Sequence, residues 1–131
     1  MTDLELVDLA YSMLEKAYVP YSQFPVGAAL LCADGNVFTG CNIENASYGA
    51  TVCAERTAVW KAVSEGHRDD FVKLAVAGNT EGPCWPCAIC RQVLFEFAPH
   101  LEILVGNRDR VLIATNLDQL LPHAFGPKAL E

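Results

Sequence analysis

The sequence predicts an α/β sandwich built on a mixed sheet of five strands. Three observations lead there. Segments with helical spacing alternate with apolar runs of strand length, the pattern of helices stacked on a sheet. The dipeptide Asp34-Gly35 between the first two runs is a hairpin-turn signal, and so short a connection forces those strands to be antiparallel. A length of 131 residues with 52% apolar content supplies one core without help from disulfides. With no internal repeat, low-complexity tract or linker, residues 1–131 read as a single domain.

The elements follow in order. A first helix is expected from about Asp3 to Tyr18, where Leu4, Leu6, Leu9, Met13, Leu14 and Ala17 fall near helical spacing. Thr2 or Asp3 can cap it, and Pro20 lies just beyond its end. Val26 to Cys32 is a short apolar strand and Asn36 to Ile43 its return strand, followed by a loop from Asn45 to Val52. Cys53 to Glu65 contains good helix formers and is stopped by Gly66. Phe71 to Gly78 reads as a buried strand, and Asn79 to Pro86 as a loop of turn residues. Cys87 to Ala98 is helical and ends at Pro99. Leu101 to Gly106 and Val111 to Thr115 are strands around the charged turn Asn107 to Arg110, and Asp118 to Leu121 forms a short helix.

The charge balance excludes some functions. A formal net charge of −7 with no Lys/Arg cluster is unsuited to a polynucleotide, whose phosphates demand cationic partners. No basic amphipathic face addresses a membrane, and no apolar run has the length of a span. The acidic start MTDLELVDLA lacks the basic residues of a secretory leader, so a cytoplasmic location is expected. In that reducing compartment six cysteines are not a disulfide framework, and their placement needs another explanation.

Cys87 and Cys90 are spaced i, i+3 at a helix start behind Pro86, so both thiols can reach one ion. Two thiolates are too few for a zinc ion, and Cys53, also opening a helix after a loop, is the best third ligand. Helix N-termini aim partial positive charge at such thiolates and lower their pKa. Three ligands leave a fourth position for water, as catalytic zinc requires. Cys84 is a rival: with Cys53, Cys87 and Cys90 it would make a closed four-thiolate structural site. Cys32 and Cys41, on strands, read as buried core residues.

Glu55 lies in the first turn of the Cys53 helix, where a carboxylate is ordinary helix-start chemistry. Beside a zinc position open to water, the same group can act as a general acid and base. Three thiolates on a divalent ion leave an excess negative charge. The guanidinium of Arg56 could withdraw part of it by hydrogen bonding to sulfur, and Arg91 could serve similarly.

At Cys53-Ala54-Glu55-Arg56 and at Pro86-Cys87-Ala88-Ile89-Cys90-Arg91-Gln92 the chain resembles the small cytidine deaminases, whose signature pairs cysteine ligands with a non-ligand Glu. The resemblance extends through Tyr21-Ser-Gln-Phe-Pro-Val-Gly-Ala-Ala-Leu30, Gly40-Cys-Asn-Ile-Glu-Asn-Ala-Ser-Tyr48, Ala62-Val-Ser-Glu-Gly66 and Leu120-Leu-Pro122, in the family's order. It implies a three-layer α/β/α sandwich and one Zn²⁺ per subunit on Cys53, Cys87 and Cys90. It also implies hydrolytic deamination of free cytidine and deoxycytidine at C4, with Glu55 carrying the protons. Asn42 and Glu44 match the residues that hold the ribose hydroxyls, and Phe24 matches the aromatic against the pyrimidine. Ala46, Tyr48 and Ala54 fall where backbone and loop reach the substrate. Phe125 matches an aromatic that enters from a neighbouring subunit, implying a homotetramer with shared active sites.

The chain departs from the family pattern at Ala88, where Gly is usual, at Cys84-Trp85, and at Gly49-Ala50, where Pro is frequent. Two rival readings remain at this point: a deaminase of aminonucleoside antibiotics or modified cytosines, and a non-enzymatic zinc-stabilised protein using Cys84 as fourth ligand.

Overall fold

The computed structural model describes residues 1–131. Its elements are α1 (Asp3–Ser12), β1 (Val26–Cys32), β2 (Val37–Cys41), α2 (Ala54–Ser64), β3 (Phe71–Gly78), α3 (Ala88–Phe97), β4 (Glu102–Gly106), β5 (Leu112–Asn116) and α4 (Leu117–Leu120). Single 3₁₀ turns occupy Leu14–Lys16, Tyr48–Ala50 and Pro127–Leu130.

The five strands form one mixed sheet in the order β2-β1-β3-β4-β5. β1 is antiparallel to both β2 and β3, β3 is parallel to β4, and β4 is antiparallel to β5. It follows that β2, β3 and β4 point the same way. α2 follows β2 and α3 follows β3, so both helices begin at the same end of the strands. This topology brings the cysteines together: residues 34 positions apart in sequence are presented by helix starts at the same end of the sheet.

Side-chain alternation divides the sheet into two faces. Ala28, Leu30, Leu74, Val76, Ile103 and Val105 pack against Ala58, Val59 and Ala62 of α2 and Leu94 of α3. Ala29, Ala75, Ala77 and Leu104 pack on the other side against Leu6, Val7 and Ala10 of α1. The result is the three-layer α/β/α sandwich that the sequence led one to expect. β1 and β3 are covered on both faces, which is why they read as unbroken apolar runs. α2 meets β2 unusually closely at Gly40. A Cβ there would lie 2.3 Å from Ala54 O and 2.6 Å from Ala58 N, so only glycine permits this seat.

Several expected boundaries move. α1 ends at Ser12 rather than near Tyr18, and Leu4 is exposed while Val7 and Ala10 take the core positions. Ser12 Oγ donates back to Leu9 O at 2.6 Å, a bond that competes with helix continuation, and the chain tightens into the 3₁₀ turn after Met13. Thr2 is the cap, in a reciprocal capping box with Glu5. β2 stops at Cys41, Ile43 making only isolated bridges to Tyr18 and Val52. The loop after it contains the turn Tyr48–Ala50. Cys53 and Cys87 are N-caps rather than first helical residues, which puts Pro86 outside α3. The hairpin between β1 and β2 is confirmed, with Cys32 N–H donating to Asn36 O around Ala33, Asp34 and Gly35.

Candidate active site

The N-cap positions of α2 and α3 place two sulfurs side by side, Cys53 Sγ and Cys87 Sγ being 3.7 Å apart. Cys90, in the first turn of α3, is fully buried and donates its backbone N–H to Cys87 Sγ at 3.4 Å. The three sulfurs lie within 4.8 Å of one another. Their softness and number suit one zinc ion. Cys84 is not part of this group; it is buried in the core beneath α2 and α3, with Gly78 against it. Cys32 and Cys41 are buried on their strands, as expected.

Charge is arranged around the trio. A hydrogen bond from Cys90, with further ones from Arg56 and Cys87, holds the Cys53 thiol down to about 5 against the opposing effect of burial. Cys90 is pushed far above the ordinary thiol range, first because it keeps the proton it shares with Cys53 and then because it is buried. Arg56 Nη2 donates to Cys53 Sγ at 3.4 Å, bringing a fixed cation to the sulfurs. Arg91 does something else. Its Nε donates to Pro86 O at 2.8 Å and its Nη1 to Leu120 O at 2.9 Å, so it braces the start of α3 against α4 rather than assisting a thiolate.

Glu55 is 4% exposed, the one charged side chain in the buried set. Burial pushes its carboxyl up to about 7, and the nearby Cys53 adds to this, while hydrogen bonds from its own backbone and from Cys90 pull the other way. An acid near neutrality beside three sulfurs that could hold a metal is equipped to accept and return a proton.

The remaining sequence-derived positions form a rim. Asn42 Oδ1 accepts from Val26 N–H at 2.9 Å and its Nδ2 donates to Phe24 O at 2.7 Å. Glu44 Oε1 accepts from the backbone N–H groups of Tyr21 and Ser22 at 3.0 and 3.1 Å, and its other oxygen accepts from the Ser22 hydroxyl. That hydroxyl bond, with the two backbone donors, holds the Glu44 carboxyl below its ordinary value. Together these two side chains clamp the segment from Tyr21 to Val26, in which Gln23 adopts a left-handed φ of 56° just before Phe24. Ser22 and Tyr21 were missed from sequence as parts of this site. The Ser beside Tyr21 in the family-like segment was the available signal. Phe24, Tyr48 and Phe125 are not core residues; they stand 47%, 74% and 62% exposed. Tyr21 meets Tyr48 edge-on, with ring centroids 5.6 Å apart. Ala46 is exposed, whereas Ala54 is fully buried behind Cys53. Gln92 Nε2 donates to Phe125 O at 2.8 Å, fixing the C-terminal turn to α3.

An α/β/α sandwich whose two helix starts hold three thiols beside a buried acid defines the class of zinc-binding deaminases. The family pattern described as the cytidine and deoxycytidylate deaminase zinc-binding region matches residues 1–106. The chain is 52% identical over 117 residues to a cytidine deaminase of Sporosarcina psychrophila, covering 88% of this chain and 85% of that one. The crystal structure of a cytidine deaminase from Burkholderia pseudomallei superposes with a TM-score of 0.92 at 50% identity, covering 95% of this chain and all of the other. At greater distance, a blasticidin-S deaminase of Bacillus cereus is 30% identical over 127 residues, covering 92% of this chain and 89% of that one. The chain therefore belongs to the cytidine and deoxycytidylate deaminase family of zinc-binding enzymes. Its three-cysteine cluster is compatible with one Zn²⁺. No helix is long and apolar enough to cross a membrane.

Proposed function

We propose that residues 1–131 form one catalytic domain that hydrolyses the 4-amino group of free cytidine and deoxycytidine, releasing ammonia and leaving uridine or deoxyuridine. The observation that carries this reading is the burial of Glu55 in the first turn of α2, immediately beside the three-sulfur cluster. Cys53, Cys87 and Cys90 would hold the metal. When bound, zinc supplies the Lewis acidity that makes water a nucleophile near neutral pH. Glu55 accepts a proton from the attacking water, delivers it to N3 of the ring, and then helps protonate the departing amine. Its raised pKa suits both directions of transfer, since an acid–base catalyst works best near the operating pH. Arg56, bonded to Cys53 Sγ, offsets the negative charge that three thiolates concentrate.

Asn42 and Glu44 are the proposed ribose partners and Phe24 the ring contact, with Ala46 and Tyr48 completing the pocket wall and the backbone of Ala54 backing it behind Cys53. Asn42 keeps one amide hydrogen beyond its bond to Phe24 O, and Glu44 keeps one lone pair on Oε2, so each can bind a hydroxyl without releasing the segment it clamps. Phe125 would enter the site of a neighbouring subunit in a homotetramer. Large aromatic side chains left in solvent at the rim support a partner there. Six unpaired cysteines suit a reducing, cytoplasmic setting. The identity of 52% to a cytidine deaminase against 30% to a blasticidin-S deaminase favours the plain nucleoside. The net charge of −7 weighs against a polynucleotide.

The test is a panel of cytidine, deoxycytidine, blasticidin S and a single-stranded oligonucleotide, with ammonia and the deaminated base measured with and without a chelator. Chelator-sensitive turnover of the two free nucleosides is expected. Turnover of blasticidin S alone, or none at all, overturns the assignment.

A further inference from the structure

The geometry points to a second metal site, built from Cys32, His67 and Asp70 and selective for a borderline divalent cation of the zinc type. Ligand atoms from these three side chains lie within 4.8 Å of one another. The site is separate from the sulfur trio. His67 follows the C-terminus of α2, whereas Cys53 caps its N-terminus, and the 11-residue helix between them spans about 16 Å.

Each ligand has a structural reason to be there. Cys32 ends β1 at a register irregularity in its pairing with β3, on the sheet side that carries Ala28 and Leu30 and faces α2. Its side chain forms the floor of the cluster, the residue being 2% exposed. His67 is fixed by its backbone, its N–H donating to Ala62 O at 2.9 Å beyond the end of α2, and by Phe38, whose ring lies 5.2 Å away. Asp70 enters β3, and its carbonyl accepts from Ala33 N–H at 2.9 Å, which ties the two loops together. Asp34 Oδ2 stands 3.5 Å from His67 Nε2 on the solvent side, positioned to steer a cation inward or to complete its shell.

A plain His–Asp ion pair accounts for only part of this. His67 Nδ1 lies 2.8 Å from Asp70 Oδ2. The second oxygen of Asp70, Oδ1, is buried with no hydrogen-bond partner. The Cys32 thiol meanwhile lies among two carboxylates, and burial together with Asp70 and Asp34 pushes it up to about 11. A divalent cation answers both features: it engages the carboxylate that burial leaves only half partnered and converts the thiol into a ligand. One sulfur, one imidazole and one carboxylate form a donor set that zinc accepts in four-coordinate geometry. Ligands at about 2.1 Å around a tetrahedral ion are about 3.4 Å apart, so the His67–Asp70 contact opens by only about half an ångström. The thiol proton, and the proton shared by His67 and Asp70, leave to solvent on binding.

The experiment starts from enzyme carrying one zinc per chain and dialyses it against Zn²⁺ at low micromolar concentration. A second equivalent is expected in the wild type, and binding at least about tenfold weaker in His67→Gln and Asp70→Asn. The zinc at Cys53, Cys87 and Cys90 stays in place in these variants and reports that they fold. In parallel, Co²⁺ added to one-zinc wild-type enzyme is expected to give a sulfur-to-cobalt charge-transfer band that Cys32→Ser abolishes. Wild-type enzyme that stops at one zinc, a second zinc retained equally by the variants, or cobalt bound without the sulfur band would each overturn the proposal. None of these readouts depends on the substrate assigned above.

Discussion

Cys53 and Cys32 are both half of a cysteine–ion chemistry, yet the fold treats them in opposite ways. Cys53 caps a helix, faces the guanidinium of Arg56 and has its thiol held down to about 5. Cys32 ends a strand, faces Asp34 and Asp70 and has its thiol pushed up to about 11. The residue type is the same; hydrogen bonds from Cys90 and Arg56 hold one thiol down, whereas burial first and two carboxylates second push the other up. One environment keeps a thiolate ready at neutral pH, and the other keeps a neutral thiol until a cation arrives. A cysteine count alone therefore says little about chemistry, whereas the element that carries each cysteine says much.

The contrast can be strained at several points. The largest effect is expected from Glu55→Gln, which should lower kcat by about 10²- to 10⁴-fold while one zinc per chain is retained. Metal analysis and turnover on the same preparation check it, and near-normal turnover would remove Glu55 from the chemistry. Next, Gly40→Ala should cost about 1–3 kcal/mol in urea denaturation, because the added methyl meets backbone atoms of α2. The displacement falls on the helix that carries Cys53, so activity should drop with stability, whereas Cys32 on β1 should be little disturbed. Arg56→Gln should weaken zinc retention by about tenfold in a chelator competition, since it removes the cation beside Cys53. Asp34→Asn at the other cluster should leave that retention unchanged.

The smallest effect concerns pH. The hydrogen bond to Asp70 raises the pKa of His67, so the folded chain holds that proton more tightly than the unfolded chain. The stabilisation is complete below the unfolded value of roughly 6.5 and is lost as pH rises through the raised folded value. With one zinc per chain and none in excess, the melting-temperature gap between wild type and His67→Gln should be wider at pH 6 than at pH 9. An equal gap at both would show that His67 acts through packing alone.

Much of this was legible in sequence, for identifiable reasons. β1 and β3 were bounded correctly because both of their faces are buried and the apolar run ends where burial ends. β2 and β5 lie at the sheet edges, pair on one side only, and their limits shifted. The helix that the spacing predicts is longer than α1 because apolar spacing continues through Met13, Leu14 and Ala17 after the Ser12 side chain has already diverted the backbone. That Cys53, Cys87 and Cys90 cluster was readable because each is tied to a helix start. The clamp by Asn42 and Glu44 was not, since it joins the segment from Tyr21 to Val26 across about twenty residues through side chain to backbone bonds. The Cys32, His67 and Asp70 group was equally hidden, its members coming from two separate turns with no spacing motif.

One feature of α3 reaches further than its own packing. Arg91 and Gln92, adjacent on the helix, take hold of Leu120 O and Phe125 O, while Cys90 just before them belongs to the sulfur trio. A tug on this C-terminal segment is thus passed through two side chains to the neighbourhood of the Cys90 sulfur. If Phe125 enters a neighbouring subunit as proposed, seating it there would press through Gln92 on the same helix whose first turn carries Cys90.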